Sequence, residues 1–255
     1  MIGEMNMNIL LRNLWPVSND RRPIRAPSGR LLGGALLAAA AVTGCSFNAA
    51  YNAAYTSAAR RPASETADGK ALLKTTPEAD AQVFTGNPTS FTGAATTLTM
   101  PLGQITRETA KSAFADAFKG GAELSTEIRD PSAYAVIVAP RVVSFSYEYN
   151  QLKNVGFAIT PTVSATVEVK VLDEQGKPRW EKTYLSGAVE GPSYMINTAP
   201  GEEINKLAHK ALYDLFAISA KEIITSPDLL RRSAPAGSAP PVTPAPPAPT
   251  LAPAR

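Results

Sequence analysis

The chain is poor in the side chains that most enzymes use for chemistry. Among its 255 residues there is one cysteine, Cys45, and one histidine, His209. A single thiol excludes an internal disulfide, and one histidine without HExxH spacing leaves no recognisable zinc site. GxSxG, P-loop and GxGxxG patterns are all absent, so hydrolysis at a nucleophile elbow and nucleotide binding lack their spacing signals. Charge is also sparse, and its distribution matters more than its total. Five of the 25 basic and two of the 22 acidic residues lie before Cys45, leaving 20 of each behind it. The net +3 therefore belongs to the first segment, and the remainder shows no basic patch of the kind nucleic acid requires.

Long apolar runs are lacking as well. Leu31 to Val42 is the main one, at 12 residues, which as a helix would span roughly 18 Å against the ~30 Å of a bilayer core. It is too short to cross. Arg21, Arg22, Arg25 and Arg30 precede it and Gly44 and Cys45 follow it, giving the basic, apolar and small-residue order of a secretory signal. The paired Arg21 and Arg22 invite a twin-arginine reading, but Pro23 and Ile24 do not continue that pattern. Val42-Thr43-Gly44-Cys45 resembles the lipobox of bacterial lipoproteins. The resemblance implies cleavage between Gly44 and Cys45 and a thioether-linked lipid, with acyl chains such as palmitate, on the Cys45 sulfur. By the sorting rule for such proteins, Ser46 after the cysteine implies the periplasmic face of the outer membrane.

Composition divides the rest. Residues 1–44 read as a signal peptide. Residues 45–81, rich in Ala, Ser, Thr and Asn and carrying the near-repeat Asn48-Ala-Ala-Tyr51-Asn52-Ala-Ala-Tyr55, read as a flexible tether. Residues 226–255, dominated by Pro and Ala, read as a disordered tail. One ordinary domain remains over 82–225.

Within it, Thr92 to Met100 reads as a threonine-rich strand, a candidate sheet edge, ended by Pro101. A helix follows, with Thr106 as N-cap, Ala110, Ala113, Phe114, Ala117 and Phe118 on one stripe, and Gly120-Gly121 as its stop. Val143 to Tyr149 and Val163 to Val171 alternate with period two and predict an antiparallel hairpin. Asp173 to Lys177 is a turn into a third strand holding Trp180 and Tyr184. Pro140 and Pro161 inside these runs predict bulges, edges or breaks. From Glu202 to about Lys221, Ile204, Leu207, Ala208, Ala211, Leu212, Leu215 and Ile218 form the stripe of a second long helix. The expected fold class is α+β: a mainly antiparallel four-stranded sheet with two helices packed on one face, in the order β-α-β-β-β-α.

The stretch from Val155-Gly-Phe157 through Tyr184-Leu-Ser-Gly-Ala-Val-Glu190-Gly191 and the helix after it resembles YajG-like envelope lipoproteins. LptE-like and transport-auxiliary lipoproteins are looser relatives. The resemblance covers roughly residues 92–224 and implies no catalytic residues, only the lipidated cysteine.

On the projection of the second helix His209 falls away from the apolar stripe, beside Glu202, Asn205 and Tyr213, and is expected to face solvent; a general base or metal ligand is the weaker alternative. Phe145, Tyr147, Tyr149, Phe157 and Trp180 are expected in the core, with an apolar groove for a lipid or peptide as the other use of the same set. The expected function is a lipid-anchored, non-enzymatic binding or assembly module of the cell envelope. The alternatives are an auxiliary subunit of a lipid or solute transporter and, more remotely, a periplasmic enzyme. No catalytic, cofactor or metal site is assigned. The expected partners are the membrane, through the lipid, and an envelope or transporter protein, not nucleic acid.

Overall fold

A computed structural model of the chain describes residues 45–150, 158–195 and 200–231. The expected signal peptide with Gly44, the aromatic Phe157 and the tail from residue 232 onward lie outside the described residues. In chain order the elements are β1 (Ser46–Asn48), α1 (Ala53–Ala59), β2 (Ala71–Lys74), α2 (Pro77–Asp80), β3 (Phe84–Gly86), β4 (Thr97–Met100), α3 (Leu102–Ala117), β5 (Ala122–Ser125), β6 (Val136–Asn150), β7 (Ala158–Leu172), β8 (Pro178–Leu185), β9 (Val189–Glu190), β10 (Tyr194–Met195) and α4 (Pro200–Ile224).

The hairpin of β6 and β7 is the spine, antiparallel from Val138 opposite Val171 to Asn150 opposite Thr160. On β7 the odd residues Val163, Ala165, Val167, Val169 and Val171 are buried, and Glu168 and Lys170 face outward between them. On β6 the parity changes along the strand. Val136, Val138 and Val142 are buried at even positions, whereas Tyr147 and Tyr149 are buried at odd ones. A register shift between Val142 and Ser144 reconciles the two sets. The extra residue, Val143, is turned out and 50% exposed, although simple alternation places it with Phe145 and the tyrosines. A bulge of this kind lets both apolar sets reach the same core.

Around this spine the expected four-stranded, mainly antiparallel sheet is replaced by a larger mixed arrangement; the α+β class stands. In the main sheet β2 lies between β5 and β6 and runs parallel to both. Along the other edge of β7, β8, β9 and β10 pair in turn, all antiparallel. A second, three-stranded sheet has β1 parallel to β4 and β4 antiparallel to β3. β4 is thus a central strand of that sheet, not the edge of the main one, and residues 92–95 before it form a turn. β2 shows no alternation because it is covered on both sides. Leu73 joins the large core, while Leu72 packs with Ile137 and Leu172 on the reverse face.

α3 and α4 pack over the large core of the main sheet. α3 begins one turn earlier than Thr106 predicts. The Gln82 carbonyl accepts from the Gly103 amide at 2.8 Å in the helix's first turn, and Thr106 turns its hydroxyl back to the Leu102 carbonyl. A Cβ on Gly103 would lie 2.0 Å from the carbonyl oxygen of Ala79 at the end of α2. The segment expected to be a flexible tether is built into the body. It supplies β1, α1, β2 and α2, and Ala71, Leu72 and Leu73 within it are among the most buried residues of the chain. The domain therefore starts with β1, not at residue 82. Beyond α4, Leu229 and Leu230 also pack against the core, so the expected tail is folded as far as Arg231.

Replacing Gly103 by alanine forces α2 and α3 apart at a backbone atom that cannot rotate away. The Gly103→Ala protein should unfold with a stability lower by about 2–3 kcal/mol, read as a shift in the midpoint of chemical denaturation.

Candidate functional site

Cys45 is exposed, with a free thiol, and it stands at the very start of β1. Its carbonyl accepts a hydrogen bond from the Thr97 amide at 3.0 Å, and further along the strand the Ala49 amide donates to the Thr99 carbonyl at 2.9 Å. Phe47 follows into the partly buried layer against the core. The candidate anchor is thus joined to β4 without an intervening spacer.

α1 explains why. Asn52 is its N-cap, accepting from the Ala54 amide at 3.0 Å, so the repeated asparagine of the Asn-Ala-Ala-Tyr pattern is a helix-start signal. The helix lies on α4 and covers the side of it that faces away from the sheet. His209 is consequently buried, at 0% exposure, and the solvent-facing position expected from the projection is not observed. Its Nδ1 is 2.8 Å from the Thr56 hydroxyl, and its ring lies 5.5 Å from that of Tyr51 and 5.7 Å from that of Tyr55. Nε2 has no hydrogen-bond partner. Burial pushes its pKa down to about 4. The imidazole is therefore neutral near pH 7 and works as packing between two helices.

Among the described residues, two of the open grooves along α4 have mostly apolar walls; a third, of about 490 Å³, lies between β1, α1 and the start of α4 and carries Asn48, Asn52, Glu202 and Asn205. The first of the two, of about 410 Å³, lies between α3, α4 and the chain after α1, lined by Pro62, Ala113, Ala117, Tyr213, Ile218 and Ile224. Ile218, expected in the apolar stripe, is 55% exposed here. At its margin the Tyr213 hydroxyl lies 2.9 Å from both the Arg61 carbonyl and the Asp116 carboxylate and accepts from the Arg61 amide at 3.0 Å. Arg60 engages the same carboxylate through Nε at 2.7 and 2.9 Å. Asp116 is thereby spoken for by a cation and a phenol. The second groove, of about 650 Å³, runs between α1 and α4 past Ala54, Ala58, Pro192 and Leu207, with Lys206 and Lys210 on its rim. Both grooves set apolar side chains on their floors and polar ones at their margins. Among the described residues no cluster of three or more His, Cys, Asp or Glu could hold a metal, and no helix is long and apolar enough to cross a membrane.

The aromatic set divides similarly. Tyr147 and Tyr149 are buried, and Phe145 and Trp180 pack against the core. Phe84 meets Phe145 edge to face at 5.0 Å, and Tyr147 meets Tyr149 in the same way at 5.7 Å. The four described members sit in packing, not along either groove.

Comparison with known proteins adds little to this geometry. No family model and no curated protein matches the chain. Among solved structures, a Xanthomonas campestris protein of family DUF330 is 13% identical with a TM-score of 0.37, covering 71% of this chain and 94% of its own. A minor lipoprotein from Acinetobacter baumannii is 15% identical with a TM-score of 0.31, over 63% and 94%. Uncharacterized lipoprotein B from Nitrosomonas europaea is 12% identical with a TM-score of 0.27, over 65% and 85%. Likenesses this loose carry no argument about the present chain, and the resemblance to YajG-like lipoproteins rests on sequence pattern alone.

The buried histidine gives a pH dependence with a definite sign. In the unfolded chain His209 takes up a proton near pH 6.5 and in the folded chain only near pH 4. The stability it contributes is therefore full above about pH 6.5 and is lost as pH falls toward 4. The loss should reach about 3 kcal/mol. Denaturation midpoints measured across that interval should fall for the natural protein and should fall less for His209→Gln, the difference isolating this one group.

Proposed function

We propose that the protein is an envelope lipoprotein, held at the membrane by lipid on Cys45, whose α+β body binds or assembles with a partner without performing chemistry. The observation that carries this reading is the order of residues 30–45, a basic residue, a short apolar run, and Val42-Thr43-Gly44-Cys45. The exposed thiol at the leading end of β1 supports it. A cysteine sulfur is the side-chain nucleophile suited to forming a thioether with a diacylglyceryl group. Each buried CH₂ then contributes about 0.8 kcal/mol, so one chain holds marginally and two or three hold firmly. Cleavage falls between Gly44 and Cys45, and Ser46 directs the mature protein to the periplasmic face of the outer membrane.

The body then acts through its surface. His209 is enclosed, Asp116 is committed to Arg60 and Tyr213, and the grooves along α4 present apolar floors with polar rims. That character supports recognition of an apolar side chain or short segment. The same grooves favour a second reading, an auxiliary subunit of a lipid or solute transporter, in which the partner is a membrane protein of that machine.

Cell fractionation with metabolic labelling by radioactive palmitate tests the first reading. The natural protein should be labelled and sediment with the outer membrane, whereas Cys45→Ala should lose the label and leave that fraction. Equal distribution of both forms, neither carrying label, would overturn it.

A further inference from the structure

We propose that the loop joining β3 to β4, residues 87–96, is a second membrane contact, with Phe91 seated in the headgroup region of the bilayer that receives the lipid on Cys45. The location follows from strand direction. β1 and β4 run parallel with Ser46 opposite Thr97, and β3 runs antiparallel with Gly86 opposite Leu98. The start of β1, the end of β3 and the start of β4 therefore share one end of the small sheet. Cys45 and the loop emerge there together, with the Cys45 carbonyl bonded to the Thr97 amide at 3.0 Å. The placement of the loop beside the anchor rests on the reading of Cys45 given above. Its exposure and composition do not.

Phe91 is 98% exposed, the most exposed of the large apolar side chains among the described residues. Single exposed apolar residues are common and by themselves require no explanation. Here two further features accompany the exposure. First, the loop and the small sheet themselves carry no charge, the nearest carboxylates on neighbouring elements being Glu148, between the bracing Tyr147 and Tyr149 on β6, and Glu202 beside β1. No Asp, Glu, Lys or Arg occurs in residues 45–59 or 81–106, which include α1, all three strands of the small sheet and the loop itself. A loop without charged side chains gives up less hydration on meeting the headgroup region than a charged one would. Second, the loop is braced. The Thr89 amide donates to the Tyr147 carbonyl at 2.8 Å, the Tyr149 amide to the Ser90 hydroxyl at 2.9 Å, and Asn87 Nδ2 to the carbonyls of Ala94 and Thr96 at 3.1 and 2.8 Å. Gly93 closes the turn at φ +75°, where a Cβ would meet the Tyr149 ring at 2.9 Å. Held in this way, Phe91 is presented outward instead of folding back onto the sheet, and little ordering remains to be lost when it enters the interface.

The two contacts complement each other. Acyl chains on a single residue fix height but leave the body free to rotate about its attachment. A second point beside the first sets which face of the domain lies on the bilayer and leaves the grooves along α4 in a fixed orientation.

The test replaces Phe91 by tryptophan in the full protein isolated from membranes, reconstituted in phosphatidylethanolamine–phosphatidylglycerol vesicles with or without brominated acyl chains. The lipid state of Cys45 is read by mass on the same sample, and circular dichroism confirms the fold. The Phe91→Trp protein should show blue-shifted emission and quenching by bromolipid beyond that of the natural protein, at a depth of roughly 5–10 Å. Quenching supports the proposal whether or not Cys45 carries lipid, and an unmodified thiol would then overturn only the anchor. Emission from the introduced tryptophan that is unquenched by bromolipid and open to aqueous iodide overturns the proposal, with the anchor standing if the mass shows lipid and falling with it if the mass shows none.

Discussion

The parallel pairing of β1 with β4 is the constraint on which the rest of the molecule depends. Three residues after Cys45 are taken into a sheet, and the chain that leaves them has to run along α4. From that follow the enclosure of His209 by Thr56, Tyr51 and Tyr55, the groove between α1 and α4, and the position of the thiol at the end of the small sheet. Phe47 and Leu98, opposite one another in the pairing, both approach Gly201 at 3.3 Å from where its Cβ would stand. The first turn of α4 is thereby held against the same two strands. Cys45, the small sheet and the long helix are one mechanical unit.

Functionally, the molecule concentrates its chemistry-bearing side chains in structural duties. The histidine packs helices, Asp116 neutralises Arg60, and Glu168 lies between Arg141 and Lys170 on the outer face of the sheet, ion pairs worth little individually. What remains open to a partner is shape, in the grooves beside α4, and the charge-free strands and loop of the small sheet next to the cysteine. The proposed envelope module, recognising a partner by its surface, draws on this distribution of roles.

How much of this the sequence discloses depends on how many partners each element has. β7 has one wet face, so its alternation is plain, and the Asp173–Lys177 turn announces itself through an aspartate that caps two amides and a glycine at φ +78°. β2 is sandwiched between parallel neighbours and buried on both faces, so Leu72 and Leu73 leave no period to read. On β6 the bulge at Val143 breaks the parity that would have assigned its faces. The helical projection of α4 placed one stripe inward and assumed water elsewhere, which failed at His209 because a second helix lay there, and at Ile218 because a groove did. Residues 45–81 looked like a tether because alanine-rich, uncharged composition is shared by linkers and by short helices packed through small side chains. The capping asparagine at position 52 was the one local sign to the contrary.

Amide hydrogen exchange over residues 46–59 and at Thr97 tests the account at its centre, because it asks whether the chain after the cysteine belongs to the folded body. The Ala49 and Thr97 amides, bonded to Thr99 and Cys45, should exchange orders of magnitude more slowly than an unstructured chain. Exchange at random-coil rates throughout that segment would show a free tether, and would contradict the account of His209, the grooves and the anchor together.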